Sequence, residues 1–159
     1  VEIGNTDAEG RLILADALYY ADEKPTDLLI DFATLTGAAR VALGTELPAL
    51  FSNNEIESSR LVDASQEVYD PIFKMPLYKP YERFLKQENG SLSSTGSSPY
   101  GGAITAALFL QKFVKKDTSW MHLDIMGWNL SNLPGRPVGG EAMSLRACFH
   151  YIREFTKTY

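Results

Sequence analysis

Residues 28–37 read Leu28-Leu29-Ile30-Asp31-Phe32-Ala33-Thr34-Leu35-Thr36-Gly37, a nearly continuous apolar run around one aspartate followed by a turn of small residues. A short apolar run of this kind predicts a strand over residues 28–32 covered on both faces, with the small residues turning at its carboxyl end. Upstream, Leu12, Ala15 and Tyr19 recur at helical spacing, and Leu14, Leu18 and Ala21 widen the stripe, which predicts a buried helix over residues 11–21. Lys24-Pro25-Thr26-Asp27 breaks that helix before the strand begins. A helix feeding a buried strand is the local pattern of an α/β protein.

The pattern continues outward. Helices are predicted over residues 38–43, 57–69, 78–87, 103–114 and 143–156, and further strands over 49–52 and 120–125. In the last helix Leu145, Cys148 and Ile152 are the expected inward side. Residues 88–102, ENGSLSSTGSSPYGG, consist almost wholly of turn formers and predict an exposed loop, and residues 127–140 form a second Gly/Asn/Pro-rich connection. The expected fold is α/β: a mainly parallel or mixed sheet flanked by helices on both faces. In such sheets ligands gather at the carboxyl ends of strands.

Composition narrows the function classes. The chain has 159 residues, 45% of them hydrophobic and 22% charged, as in an ordinary globular domain. A net charge of -5, with no dense Lys/Arg cluster, gives no footing for nucleic acid. The apolar runs fall well short of the ~20 residues that a membrane span needs, so no membrane partner is expected. Cys148 is the single cysteine, so no intrachain disulfide forms, and no signal-like segment is visible. A cytoplasmic location is therefore expected. Because the chain opens on Val1, it is also expected to be part of a longer protein.

Its opening segment, Asn5-Thr6-Asp7-Ala8-Glu9-Gly10-Arg11, crowds two carboxylates and an arginine ahead of the first helix. Thr6 and Glu9 have the spacing of a capping box, in which hydroxyl and carboxylate satisfy free N–H groups at a helix start. An EF-hand-like loop from Asn5 to Asp16 matches poorly, since it lacks the first aspartate and last glutamate. Alternatively, Asp7 and Glu9 can face a pair of cations about 3.5–4 Å apart, with Arg11 placed to hold an anion. Two carboxylates cannot complete such a centre alone.

NTDAEGRL resembles the hallmark segment of the leucine aminopeptidase family, the cytosolic two-metal exopeptidases. IDFATLTGA, FSNN, KMPL, YGGAITAALFLQKFV and WMHLDIMGWN follow in that family's order and at about its spacing. The resemblance covers nearly the whole chain and implies that residues 1–159 are the C-terminal portion of the catalytic domain, with the N-terminal domain and first catalytic segment absent. It implies that Asp7 and Glu9 are ligands of two divalent metal ions, manganese or zinc, with Glu9 bridging them. Arg11 would be the catalytic arginine, holding a bicarbonate that shuttles protons. Thr34, Leu35 and Gly37 would line the substrate cleft, the latter two through backbone groups, and Met126 would wall the pocket for the first side chain. The implied activity is release of leucine-like N-terminal residues from peptides, with the full-length family forming hexamers. Further lysine and aspartate ligands would lie upstream of Val1, so the fragment alone is expected to be inactive.

Met126 stands where the family commonly has alanine, which predicts a narrowed pocket or altered preference, since methylene-sized changes shift discrimination by ~1–3 kcal/mol. His122 and His150 are expected to be structural, Asp124 to be satisfied by neighbouring backbone, and Cys148 to pack as a small hydrophobe. The glycines at 90, 96, 101 and 102 lack the G-K-[ST] of a phosphate loop. The alternative to an enzyme is a non-catalytic relative or processed fragment serving as an oligomerisation or binding module.

Overall fold

The computed structural model describes Val1 and residues 9–87 and 90–157. Its elements are α1 (Glu9–Ala21), β1 (Leu29–Ala33), α2 (Gly37–Leu43), β2 (Ala49–Ser52), α3 (Glu55–Glu67), β3 (Phe73–Lys74), α4 (Gly102–Gln111), β4 (Trp120–Asp124), β5 (Trp128–Asn129), β6 (Gly139–Gly140) and α5 (Leu145–Phe155). A four-stranded sheet has the order β1-β4-β2-β3, and β5 and β6 form a separate antiparallel pair. β1 runs parallel to β4, and β2 parallel to β3, but β2 and β4 are antiparallel. The sheet is therefore mixed and flanked by helices, the α/β class expected.

Alternation along the central strands divides the core in two. Leu50, Met121 and Leu123 pack with Leu61, Ala64, Ala147, Cys148 and Tyr151, burying α3 and α5 against one face. Ala49, Phe51 and Trp120 face the other way, toward α1, α2 and α4. From Thr105 to Leu110 every residue of α4 is buried, so this helix is apolar all round rather than amphipathic.

Several expectations need correction. β1 is not covered on both faces: Phe32 is 44% exposed, and β1 lies at the sheet edge with β4 as its partner among the described residues. Residues Lys79–Leu85 form a 3-10 helix rather than an α-helix. In that geometry side chains three apart eclipse, and Tyr78, Tyr81 and Phe84 form a row, the first pair edge to face and the second tilted, with centroids 4.9 and 5.2 Å apart. Gly101, at φ +69, then starts α4 with no room for a Cβ, which would sit 2.9 Å from Tyr81 Cε2.

α5 is rotated relative to expectation. Leu145 and Ile152 are exposed, while Ala147, Cys148 and Tyr151 face α3. Small Ala147 admits a close helix approach, and Tyr151 reaches across to donate its hydroxyl to Glu57 at 2.7 Å. Nor is the serine-rich loop wholly exposed, because Ser93 and Ser94 are 3% and 0% accessible. Ser93 N–H bonds Leu85 O at 2.8 Å, tying the loop to the 3-10 helix.

Candidate active site

Because β1 and β4 are parallel and in register, Ala33 pairs with Asp124 and both strands end at the same edge of the sheet. The turn at 33–37 leaves from that edge and is anchored by Asp124, itself only 3% exposed. Leu35 N–H donates to Asp124 Oδ1 at 3.0 Å, Thr36 N–H donates to the same oxygen at 3.2 Å, and the Thr36 hydroxyl donates to Oδ2 at 2.6 Å. The Thr36 oxygen also accepts Ala39 N–H at 3.1 Å, capping α2 from an extended backbone. One buried carboxylate thus organises the turn and, through Thr36, the start of the next helix.

Beside this turn opens a cleft of about 460 Å³. Glu9 and Arg11 from the first turn of α1 line it together with Thr34, Leu35 and Gly37. Arg11 Nη1 donates to the buried Ser94 carbonyl at 2.6 Å, while its Nε is buried without a hydrogen-bond partner among the described residues. Burial lowers the Arg11 pKa from its ordinary value, and the negative charge of Asp124 opposes that shift. The Ser94 carbonyl fixes one edge of the guanidinium, leaving other donors for an anion in the cleft.

The structure therefore brings Glu9, Arg11, Thr34, Leu35 and Gly37 together. Asp7 lies outside the described residues. Met126 is half-buried in the turn after β4 and is not among the residues lining the cleft. Its neighbour Gly127 comes closer: at φ +69, a Cβ there would sit 3.2 Å from Thr34 Cγ2. Sequence reasoning missed Ser94 and Thr95 at this site, having placed both in an exposed loop. His122 is a core residue, with Nδ1 2.6 Å from Asp31 Oδ1, and His150 pairs with Glu67 at 2.8 Å on the surface.

A carboxylate and an arginine converging with a backbone turn at the carboxyl edge of the sheet define a polar ligand site of the α/β class. Residues 1–149 match the family model described as the cytosol aminopeptidase family, catalytic domain. The chain belongs to the cytosol aminopeptidase family. It is 45% identical over 154 residues to a probable cytosol aminopeptidase of Synechococcus sp. (strain CC9605), covering 96% of this chain and 31% of the relative. The solved cytosol aminopeptidase from Coxiella burnetii is 55% identical and superposes with a TM-score of 0.92, covering 97% of this chain and 34% of the other. The bottromycin maturation enzyme BotP, solved in complex with manganese, is 34% identical with a TM-score of 0.91, over 98% of this chain and 35% of its own. The chain thus spans about a third of the length of these relatives.

Proposed function

We propose that this chain forms one side of the active site of a two-metal aminopeptidase that releases leucine-like residues from the N-termini of peptides. The observation that carries this reading is the convergence of Glu9 and Arg11 with Thr34, Leu35 and Gly37 in one cleft. The Glu9 carboxylate is exposed there and offers hard oxygen donors of the kind divalent manganese or zinc accepts. Among the described residues no group of three His, Cys, Asp or Glu stands close enough to hold a metal ion. The remaining ligands are therefore assigned to Asp7 and to the rest of the full-length protein. When bound, the metals would polarise the scissile carbonyl and lower the pKa of the attacking water.

The protein's own residues supply orientation. Leu35 N–H is committed to Asp124, so the backbone group that Leu35 can offer a peptide is its carbonyl oxygen. Gly37 opens α2, where the first N–H groups have no intrahelical acceptor, and supplies a donor two residues further on. An acceptor and a donor so spaced suit an extended peptide backbone. Arg11, held at one edge by Ser94, presents its charge to a bicarbonate or to the oxyanion that develops during attack. Met126 bears on the first side chain through the turn it shares with Gly127, which packs against Thr34.

Assaying the full-length protein with an aminoacyl substrate and manganese or zinc tests the reading. Metal-dependent turnover by the full-length protein, with none from the isolated 159-residue segment, is the expected result. Robust metal-dependent turnover by the segment alone overturns the assignment of ligands beyond it. A hexameric mass for the active full-length protein is expected from the same preparation.

A further inference from the structure

We propose that Asp124 is a positioning residue for substrate binding: a buried carboxylate that locks the turn at 33–37 in the one conformation that presents Leu35 and Gly37 to a peptide. The inference rests on the proposed aminopeptidase function and adds to it a residue that need not touch substrate. Asp124 lies at the last position of β4, and its side chain joins three donors from a turn 88–89 residues earlier in the chain. Two of those donors are backbone N–H groups, so the carboxylate fixes peptide planes rather than merely packing a side chain. If it were absent, Leu35 and Thr36 N–H would lose their acceptor at the sheet edge. The turn would then reorient toward water or toward other carbonyls.

The same carboxylate acts on the second wall of the cleft. Its charge bears on Arg11, whose guanidinium is partly buried and has a Ser94 carbonyl as its neutral hydrogen-bond partner. One side chain therefore aligns the backbone of the turn and counters the charge of the arginine opposite. Asp124 is distinct from the neighbouring buried carboxylate Asp31, whose oxygens are taken by Trp120 Nε1 at 2.8 Å and His122 Nδ1 at 2.6 Å. Asp31 holds core side chains together; Asp124 holds a cleft-lining turn.

Two measurements on the full-length protein test this role. The first is hydrogen exchange over residues 34–37, which requires no activity. Asp124→Ala is expected to speed exchange there while β4 stays protected, and Asp124→Asn, whose carboxamide oxygen still accepts both N–H groups, is expected to exchange far more slowly than the alanine variant. The second is steady-state kinetics with a peptide substrate. Misplacing binding groups by about 1 Å can cost on the order of 10²-fold, and Asp124→Ala is expected to lose about that in kcat/KM, mainly through KM.

Should Asp124→Ala fail to fold, Thr36→Val, which removes the hydroxyl that donates to Asp124 and accepts Ala39 N–H, is expected to raise both exchange and KM, and Thr36→Ser to restore them. Unchanged exchange at 34–37 in a folded Asp124→Ala protein overturns the proposal. So does a loss of kcat with KM unaltered. A wild-type protein without aminopeptidase turnover removes the proposed function, and exchange over residues 34–37 then decides the role of Asp124.

Discussion

Asp31 and His122 face one another across the parallel strands β1 and β4, with Asp31 Oδ1 2.6 Å from His122 Nδ1. The ring is 0% exposed and stacks near both Trp120 and Phe51 at centroid distances of 6.2 and 6.1 Å. The carboxylate oxygen accepts, so Nδ1 is the donor of this pair, while His122 Nε2 has no partner among the described residues. Asp31→Ala removes the acceptor from both Trp120 Nε1 and His122 Nδ1, and buried unsatisfied donors cost about 1–3 kcal/mol each. Denaturant unfolding followed by tryptophan fluorescence should show a loss of about 2–6 kcal/mol for the two donors together. A variant as stable as wild type contradicts the pairing.

Asp70 stabilises α5 from outside the helix. Ser144, the residue before α5, sits at φ 66 and makes no side-chain cap; instead Asp70 accepts the N–H groups of Ser144, Arg146 and Ala147 at 3.2, 2.9 and 3.2 Å. Its negative charge also complements the helix N-terminus. Asp70→Ala should destabilise by about 1.5–3 kcal/mol, the range for hydrogen bonds to a charged group. Exchange protection in the first turn of α5 should fall with it, whereas an effect spread evenly over all helices speaks against capping.

The Cys148 thiol is buried between α5 and α3, and burial first, then the negative charge of Asp70, push its pKa from an ordinary 9.0 up to about 12. A raised folded-state pKa means that the neutral thiol is favoured in the fold. Its contribution is therefore fully present below about pH 9 and is lost as pH rises toward about 12. Native protein at pH 8 should resist alkylation until unfolded. The stability gap between wild type and Cys148→Ala should shift against wild type above pH 9, and equal pH slopes contradict the shift.

Much of the fold was legible because local pattern and tertiary role agree. The 49–52 strand, the strongly apolar helix α4 and the small-residue turn after β1 all follow from periodicity and turn chemistry. What was not legible depends on distant partners. Leu145 and Ile152 offered as good a helical stripe as Ala147 and Tyr151, and only Asp70 and the Tyr151–Glu57 bond select the rotation seen. Ser94 is buried because Arg11, 83 residues away, and the 3-10 helix claim the loop around it. Hydrophobic period carries no strand direction, so the antiparallel pairing of β2 with β4 could not be read from it.

At the site, Glu9, Arg11 and the turn residues were legible through residue type and resemblance. The anchoring role of Asp124 was visible only as a carboxylate needing a backbone partner, because the identity of that partner lies across the parallel pair β1 and β4.

Under the proposed function, Glu9 and Arg11 share a catalytic cleft with the 33–37 turn. The deciding measurement is the turnover of a peptide with a free N-terminus by the full-length, metal-loaded protein and by its Glu9→Ala variant. An N-acetylated peptide serves as the control. Cleavage of the free peptide alone is expected, with a loss on the order of 10³-fold or more in Glu9→Ala, the size seen when a group central to a reaction is removed. Equal turnover by Glu9→Ala and wild type, or cleavage of the acetylated peptide at the same rate, would contradict it.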